Sequence, residues 1–403
     1  MDESLKLKIG KSAASIKDEI IGIRRHLHRY PELSCLEVKT AEFICQKLDA
    51  YGIRYQKEIA GTGVVGFIEG RNPSARCIAL RADMDALPVT EISLTEYSST
   101  IPGVMHACGH DVHMACLLGA AKILAGLTSA FTGTVKLIFQ PSEETFPGGA
   151  IAMIEAGVLE NPAPEFVIGQ HVINNLDAGE IGLKPGPYMA STDEIYITVK
   201  GKGGHSATPN QVIDPVLIAS HIVVALQQIV SRNADPVMPT VISFGKIMGN
   251  GRTNVIPDEV TLDGTVRTYN ETWRKEVHER IRKMAVSIAS GMGGSCDVRI
   301  APGYPFLYND PDLTLHLEIL AREYLGTDKV KTLEQRMTAE DFAYYAAKVP
   351  SCLFRLGIRN QSRGINSNLH TATFDVDEDS IATGMEMLAW FTINLLSQEN
   401  PSR

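Results

Sequence analysis

The stretch Met105-His106-Ala107-Cys108-Gly109-His110-Asp111-Val112-His113 sets a thiol, three imidazoles and a carboxylate around one glycine. Ordinary packing calls for no such set, since these side chains are costly to bury unless something pairs with them. Cys108 and His110 are one residue apart, so an extended or turning backbone lets both reach one ion. Asp111 is expected to take the free N–H of a ligand imidazole and fix its tautomer. Two ligands do not complete a site, so the fold has to deliver further donors from distant segments.

Strand patterns supply that delivery. Strands are expected at 64–69, 77–81, 135–139 and 166–169. Three of them run into polar endings: Arg81-Ala82-Asp83-Met84-Asp85, then Gln140-Pro141-Ser142-Glu143-Glu144, then Gln170-His171. In open α/β sheets ligands bind outside the carboxyl ends of the strands, so these endings point to one functional edge. Helices are expected at 12–27, 37–51 and 115–127, the last apolar nearly all round and therefore buried. The basic residues 24–29 read as a favourable last turn against the helix dipole.

A different pattern begins at Thr192. A strand at 194–200, a helix at 215–230, strands at 240–247 and 260–269, a helix at 271–289 and a strand at 296–300 give the order β-α-β-β-α-β, a ferredoxin-like unit. A chain of 403 residues suits two domains. The expected division is a catalytic domain of residues 1–190 and 302–403, closing with a helix at 379–396, and an inserted domain of residues 191–301.

A formal charge of −9 without clustered Lys or Arg excludes a nucleic-acid surface and favours a small-molecule or peptide partner. The first 20 residues mix charges with short apolar residues and lack a signal h-region, and no run approaches the roughly 20 apolar residues that cross a bilayer. No membrane partner and a cytoplasmic location are expected. Seven cysteines, at 35, 45, 77, 108, 116, 296 and 352, keep no framework spacing and are expected to be reduced. All but Cys108 can be small buried apolar residues.

The candidate metal donors are Cys108, His110, Glu144, His171 and His370. Five donors exceed a closed structural zinc site and are too dispersed for one, which points to two divalent ions sharing a bridging ligand, best supplied by Cys108. A thiolate with imidazoles favours zinc, and manganese, cobalt or nickel also fit a mixed site. Adjacent Glu143 and Glu144 diverge, so that one can bind metal while the other acts as general base; spacing leaves open which does which. Asp83 and Asp85 join Asp111 as carboxylates behind the ligands. His205 follows Gly203-Gly204, which expose its ring as a donor to an oxyanion. Asn254 and Arg267 are candidates for holding a substrate carboxylate. His106, His113, His221, His278 and His316 read as structural or surface residues. Gly201-Lys202-Gly203-Gly204 lacks the Gly-Lys-Ser/Thr order of a phosphate loop.

Several stretches in fixed order carry a resemblance. They are Arg25-His26-Leu27-His28-Arg29-Tyr30-Pro31-Glu32-Leu33, residues 81–88, 106–111, 140–144, 203–207 and 254–257, then Glu340-Asp341-Phe342 and Leu369-His370-Thr371. Over nearly its whole length the chain resembles the amidohydrolase branch of the dinuclear aminoacylase and carboxypeptidase superfamily, which includes hippurate hydrolases, N-acyl-amino-acid deacylases and indole-acetyl-amino-acid hydrolases. The resemblance implies a zinc-peptidase-like α/β catalytic domain with an inserted lid or dimerisation domain, and a homodimer or larger homo-oligomer. By motif position it implies Cys108, His110, Glu144, His171 and His370 as metal ligands and Glu143 as the base. His205 resembles a lid histidine that reaches the partner subunit's site. The implied reaction is hydrolysis of the amide bond of an N-acyl amino acid, with a carboxypeptidase or dipeptidase as the enzyme rival and a non-catalytic metal-binding dimerisation protein as the rival of another class. Thr338, Ser351, Ala372 and Tyr304 depart from the family's common residues near the substrate pocket.

Overall fold

The strands Gly63–Glu69, Cys77–Asp83 and Thr134–Gln140 are buried almost throughout, which is what strands covered on both faces require. In the computed structural model, which describes residues 3–397, they lie inside an eight-stranded sheet. Its order is Arg54–Ile59, Gly63–Glu69, Thr134–Gln140, Cys77–Asp83, Phe166–Asp177, Ser351–Arg359, Ile181–Leu183 and Val330–Thr332. The four strands in the middle, from Thr134–Gln140 to Ser351–Arg359, run parallel. Register fixes a common edge: Asp83 pairs Gln140, Arg81 pairs Gly169, and His171 pairs Arg355. Two residues beyond Gly169, His171 is therefore level with Asp83.

His171 does not follow a strand end, as expected, but lies inside a 12-residue strand, Phe166–Asp177. It reaches the edge because the neighbouring strand stops at Asp83. Arg54–Ile59 is not legible as a strand, because RYQKEI has no apolar alternation; it pairs in register with Gly63–Glu69. The first helix runs Glu3–Arg29, well ahead of the expected start at 12.

The helix His110–Ala125 has 14 buried residues and begins at the metal motif itself, not at 115. It crosses the last helix, Ser380–Ser397, at two glycines. A Cβ on Gly119 would lie 2.7 Å from Met385 Sδ, and one on Gly384 would lie 2.5 Å from Cys116 Sγ. The small residues are what let the helix bearing the motif pack this deeply, and a methyl group at either position would push the two backbones apart.

The described residues divide into two compact units. One comprises the chain to Gly186, Tyr308–Glu334 and the chain from Asp341 onward; the other comprises Pro187–Leu307 with Gln335–Glu340. Residues 1–2 and 398–403, counted within the expected catalytic domain, lie outside the described residues. The second unit has a four-stranded antiparallel sheet in the order Thr240–Gly249, Glu259–Thr268, Asp193–Lys200, Ser295–Pro302, with helices Pro215–Gln228 and Glu271–Gly291. Its apolar cluster joins the inward faces of that sheet and both helices.

The expectation that no segment has the length and apolarity of a membrane span does not hold for Pro215–Asn233, 19 residues with mean hydropathy 1.3. One face of this helix, Ile218, Ala219, Ile222, Leu226 and Ile229, packs in the core of the second unit. Cys35 is exposed and Cys296 half-buried, so only Cys45, Cys77, Cys116 and Cys352 behave as the small core residues expected of all six.

Glu386, on the last helix, is pushed up to about 7 by burial, against a hydrogen bond from Tyr324. Its folded-state value lies above the ordinary 4.5, so its stabilising contribution is full below that pH and is lost as pH rises through 7. Glu386→Gln is expected to gain thermal stability over the parent as pH is raised from 5 to 8 in a set of melting curves; a Tm difference independent of pH would contradict the assignment.

Candidate metal centre

Gly109, at φ 84, turns the chain between Cys108 and the first helical residue, His110. A Cβ at Gly109 would meet Val172 Cγ2 at 2.5 Å, so the left-handed turn and the close approach both require glycine. This turn, not an extended backbone, brings the two side chains to one place. Cys108, His110 and His171 form one group whose ligand atoms lie within 4.8 Å of one another; Cys108, Glu144 and His370 form a second, and His110, Glu143 and Glu144 a third. The Cys108 Sγ stands 3.6 Å from His171 Nε2 and 3.3 Å from His370 Nε2. All five expected donors are thus brought together, with Cys108 common to the two groups that contain His171 and His370. His370 itself sits in the left-handed region, at φ 61, with its N–H donating to Ala107 O at 2.8 Å. For a non-glycine residue that conformation persists only where the surroundings hold it.

The imidazoles are oriented from behind. His110 Nδ1 donates to the Asp85 carbonyl at 2.8 Å and His171 Nδ1 donates to the Val172 carbonyl at 2.8 Å, which turns each Nε2 toward the donor set, where a metal takes the place of any proton it carries. Within the donor groups, buried His110 Nε2 and Glu144 Oε1 have no hydrogen-bond partner. Glu144 Oε1 approaches His370 Nε2 at 3.3 Å without hydrogen-bond alignment. Native interiors rarely leave such atoms unsatisfied, and two orphaned donor atoms inside one converging set fit divalent cations.

Two buried carboxylates organise the site. The Asp85 side chain accepts from Glu143 N at 3.0 Å, Glu144 N at 2.9 Å and Ser34 Oγ at 2.6 Å. Asp83 is held by Arg81 at 2.6 Å and accepts from His113 Nδ1 at 2.6 Å, while His113 Nε2 accepts the N–H of Val172, next to His171, at 2.9 Å. Arg81 also binds Asp341 at 2.7 Å and Gln140 at 2.9 Å. The Asp341 N–H comes within 3.4 Å of Glu143 Oε1.

Two expectations are corrected. Asp111 does not touch a ligand imidazole; it accepts from Arg24 Nε and from His28 Nδ1, each at 2.8 Å. Arg24 and His28 are not solvated dipole caps, being 0% and 1% exposed. His113, expected to be structural or surface, is structural: it links Asp83 to the strand that carries His171. The signals were present: Arg24 falls on the buried stripe Ile20, Ile23, Leu27, and Arg81 interrupts the apolar strand CIALRAD. His106 is buried with both ring nitrogens unpartnered, and burial lowers its pKa to about 3, so it is a neutral imidazole.

Burial works against a charge on His110, yet Asp83, Asp85 and Glu144 prevail and hold it up at about 10. Burial pushes the Cys108 thiol well above its usual range, and Glu144, Glu143 and Asp83 add to this. His171 moves the other way, kept neutral by burial and by Arg355 beside it. A donor set with this excess of negative charge takes up protons or cations, so cation binding displaces protons from Cys108 and His110.

His205, Asn254 and Arg267 belong to the second unit. Gly204–His205 pairs with Val255–Ile256, which places exposed His205 beside exposed Asn254, whose carbonyl accepts from Ser206 N at 3.2 Å. His205 Nδ1 accepts from Ala207 N at 3.0 Å, which leaves Nε2 as the protonated nitrogen. Arg267 lies in the other, four-stranded sheet, opposite Val241, half-buried and with its pKa lowered by burial.

The model of peptidase family M20/M25/M40 matches residues 79–394. Thermostable carboxypeptidase 2 of Saccharolobus solfataricus is 39% identical over 381 residues, 94% of this chain and 95% of its own. N-acyl-L-amino acid amidohydrolase of Geobacillus stearothermophilus is 42% identical over 299 residues, 74% of this chain and 80% of its own. The crystal structure of Bacillus subtilis YXEP protein, a dinuclear metal binding peptidase, superposes with a TM-score of 0.81 at 33% identity, covering 95% of this chain and 99% of that one.

Asp85→Asn tests the geometry. An amide sets N–H donors against the Glu143 and Glu144 N–H groups, so divalent-ion affinity by calorimetry is expected to fall about 10- to 100-fold with the fold intact. Unchanged affinity would show that Asp85 does not set the donors.

Proposed function

From the premise that this chain belongs to peptidase family M20/M25/M40, and is a metal-dependent hydrolase of amide bonds, we propose that it hydrolyses N-acyl amino acids to a carboxylic acid and a free amino acid. The observation that carries the reading is the overlap of donor groups through Cys108, with Glu143 beside Glu144 on one loop. In this reading Cys108, His110, Glu144, His171 and His370 hold two divalent ions, zinc by donor softness, with manganese, cobalt or nickel as alternatives. Bound there, the pair supplies Lewis acidity to the scissile carbonyl and lowers the pKa of a water.

The chain's own groups do the rest. Glu143 accepts a proton from the attacking water at its carboxylate and returns it to the leaving nitrogen. The Asp341 N–H at 3.4 Å and the Asp85 clamp on its backbone keep that carboxylate directed. His205 Nε2–H, on the inserted lid, donates to the developing oxyanion. Asn254 and Arg267 take the substrate carboxylate.

A homodimer or larger homo-oligomer is supported by Val216, Leu217 and Val224, exposed at 44%, 50% and 73% on one helix of the second unit. A cytoplasmic setting is supported by seven free cysteines. The second reading, a carboxypeptidase with the same centre, draws on the Saccharolobus relative.

Glu143→Gln is expected to keep two ions per chain by metal analysis and to lose about 10²- to 10⁴-fold in kcat on hippurate or N-acetyl amino acids. Turnover within threefold of the parent would remove Glu143 from the reaction. Exclusive cleavage of dipeptides by the parent would establish the carboxypeptidase reading instead.

A further inference from the structure

The buried Arg24 guanidinium reaches the two chain segments that carry opposite sides of the donor set. Its Nε donates to Asp111 Oδ2 at 2.8 Å, one residue after His110, and its Nη2 donates to Asp375 Oδ1 at 3.0 Å, five residues after His370. A longer contact runs from Nη1 to Glu378 Oε1 at 3.4 Å. The Tyr97 hydroxyl donates to the other Asp375 oxygen at 2.8 Å, and the Tyr97 ring lies 4.6 Å under the Arg24 guanidinium. His28, one turn on in the same helix, donates to Asp111 at 2.8 Å.

The two segments differ in how else they are held. His110 is fixed by its helix and by Asp85, and His171 by the central sheet. His370 stands on a loop, exposed and in a left-handed backbone conformation, with Ala107 O as its backbone partner. The next anchors along that loop are the Ala372 carbonyl, which accepts from Ile92 N at 3.0 Å, the buried Phe374 ring and Asp375. Loss of the guanidinium would leave Asp111 and Asp375 as two buried or half-buried carboxylates without their shared cation, and His370, exposed on its loop, is the ligand with the fewer other restraints.

We propose that Arg24 is a positioning residue that sets the distance between His370 and Cys108, and so controls the cation site shared by Cys108, Glu144 and His370 separately from the one built on His110 and His171. This rests on the two-ion reading above. It requires Arg specifically, because a planar fork can bind two carboxylates along different directions while an ammonium acts as one point charge.

The test compares the parent chain with Arg24→Lys, Arg24→Met and a remote core variant, Leu320→Ala, by zinc calorimetry, melting curves and hydrogen exchange of the metal-free chains. Arg24→Lys is expected to bind one ion within threefold of the parent and the other about 10- to 100-fold less well. Its exchange is expected to rise over residues 368–376 and not over 110–125. Leu320→Ala is expected to lower Tm with both affinities unchanged. If Arg24→Met does not fold, Arg24→Lys alone decides. Equal weakening of both ions, or two unchanged affinities in Arg24→Lys, would overturn the assignment. If the parent itself binds fewer than two ions, the two-ion reading fails, and raised exchange at 368–376 still reports whether Arg24 holds the loop.

Discussion

The site depends first on Asp85. Its carbonyl orients His110, and its carboxylate holds the backbone of both glutamates and the Ser34 hydroxyl. One residue thereby links a helix start, a strand-end loop and the segment after the first helix. The linkage works because Asp85 leaves the strand Cys77–Asp83 at the carboxyl edge, where the parallel neighbour Thr134–Gln140 also stops. The carboxylate carries no chemistry of its own; a ligand or base displaced by even about 1 Å loses much of its value, and three hydrogen bonds prevent that displacement.

Around this point the fold concentrates charge that a core ordinarily excludes. Asp83, Asp85, Asp111 and Asp341 are fully buried; Arg24 pairs with Asp111, and Arg81 with Asp83 and Asp341. Buried ion pairs are poor sources of stability because desolvation offsets attraction. Their service here is geometric: each guanidinium fork fixes carboxylates from segments far apart in sequence, Arg81 joining Asp83 to Asp341 and Arg24 joining Asp111 to Asp375. The Glu143 and Glu144 carboxylates and the Cys108 thiol belong to the donor groups themselves.

Much of this was legible in the sequence, and the misses have physical causes. The parallel strands showed as apolar runs with polar endings, and the second unit showed its element order because its sheet and helices alternate period 2 with period 3.6. Cys108, His110, Glu143, Glu144, His171 and His370 stood out because each is a metal-binding or acid-base type at an expected turn or strand end, although His171 proves to lie inside a longer strand. Asp111 was misassigned because adjacency to His110 in sequence is not adjacency in a helix, where successive side chains diverge by about 100°. It turns toward Arg24 instead. The roles of Arg24, His28 and His113 depend on partners 87, 83 and 59 positions away, which no local pattern encodes.

The central claim is that two divalent ions share one donor set through Cys108. Anomalous diffraction from crystals of the zinc-loaded chain measures it most directly. Two peaks about 3.5–4 Å apart, both within coordination distance of Cys108 Sγ, with one bonded to His171 or His110 and the other to His370, are predicted. A single peak at full zinc occupancy, or two peaks neither of which contacts Cys108, would contradict it.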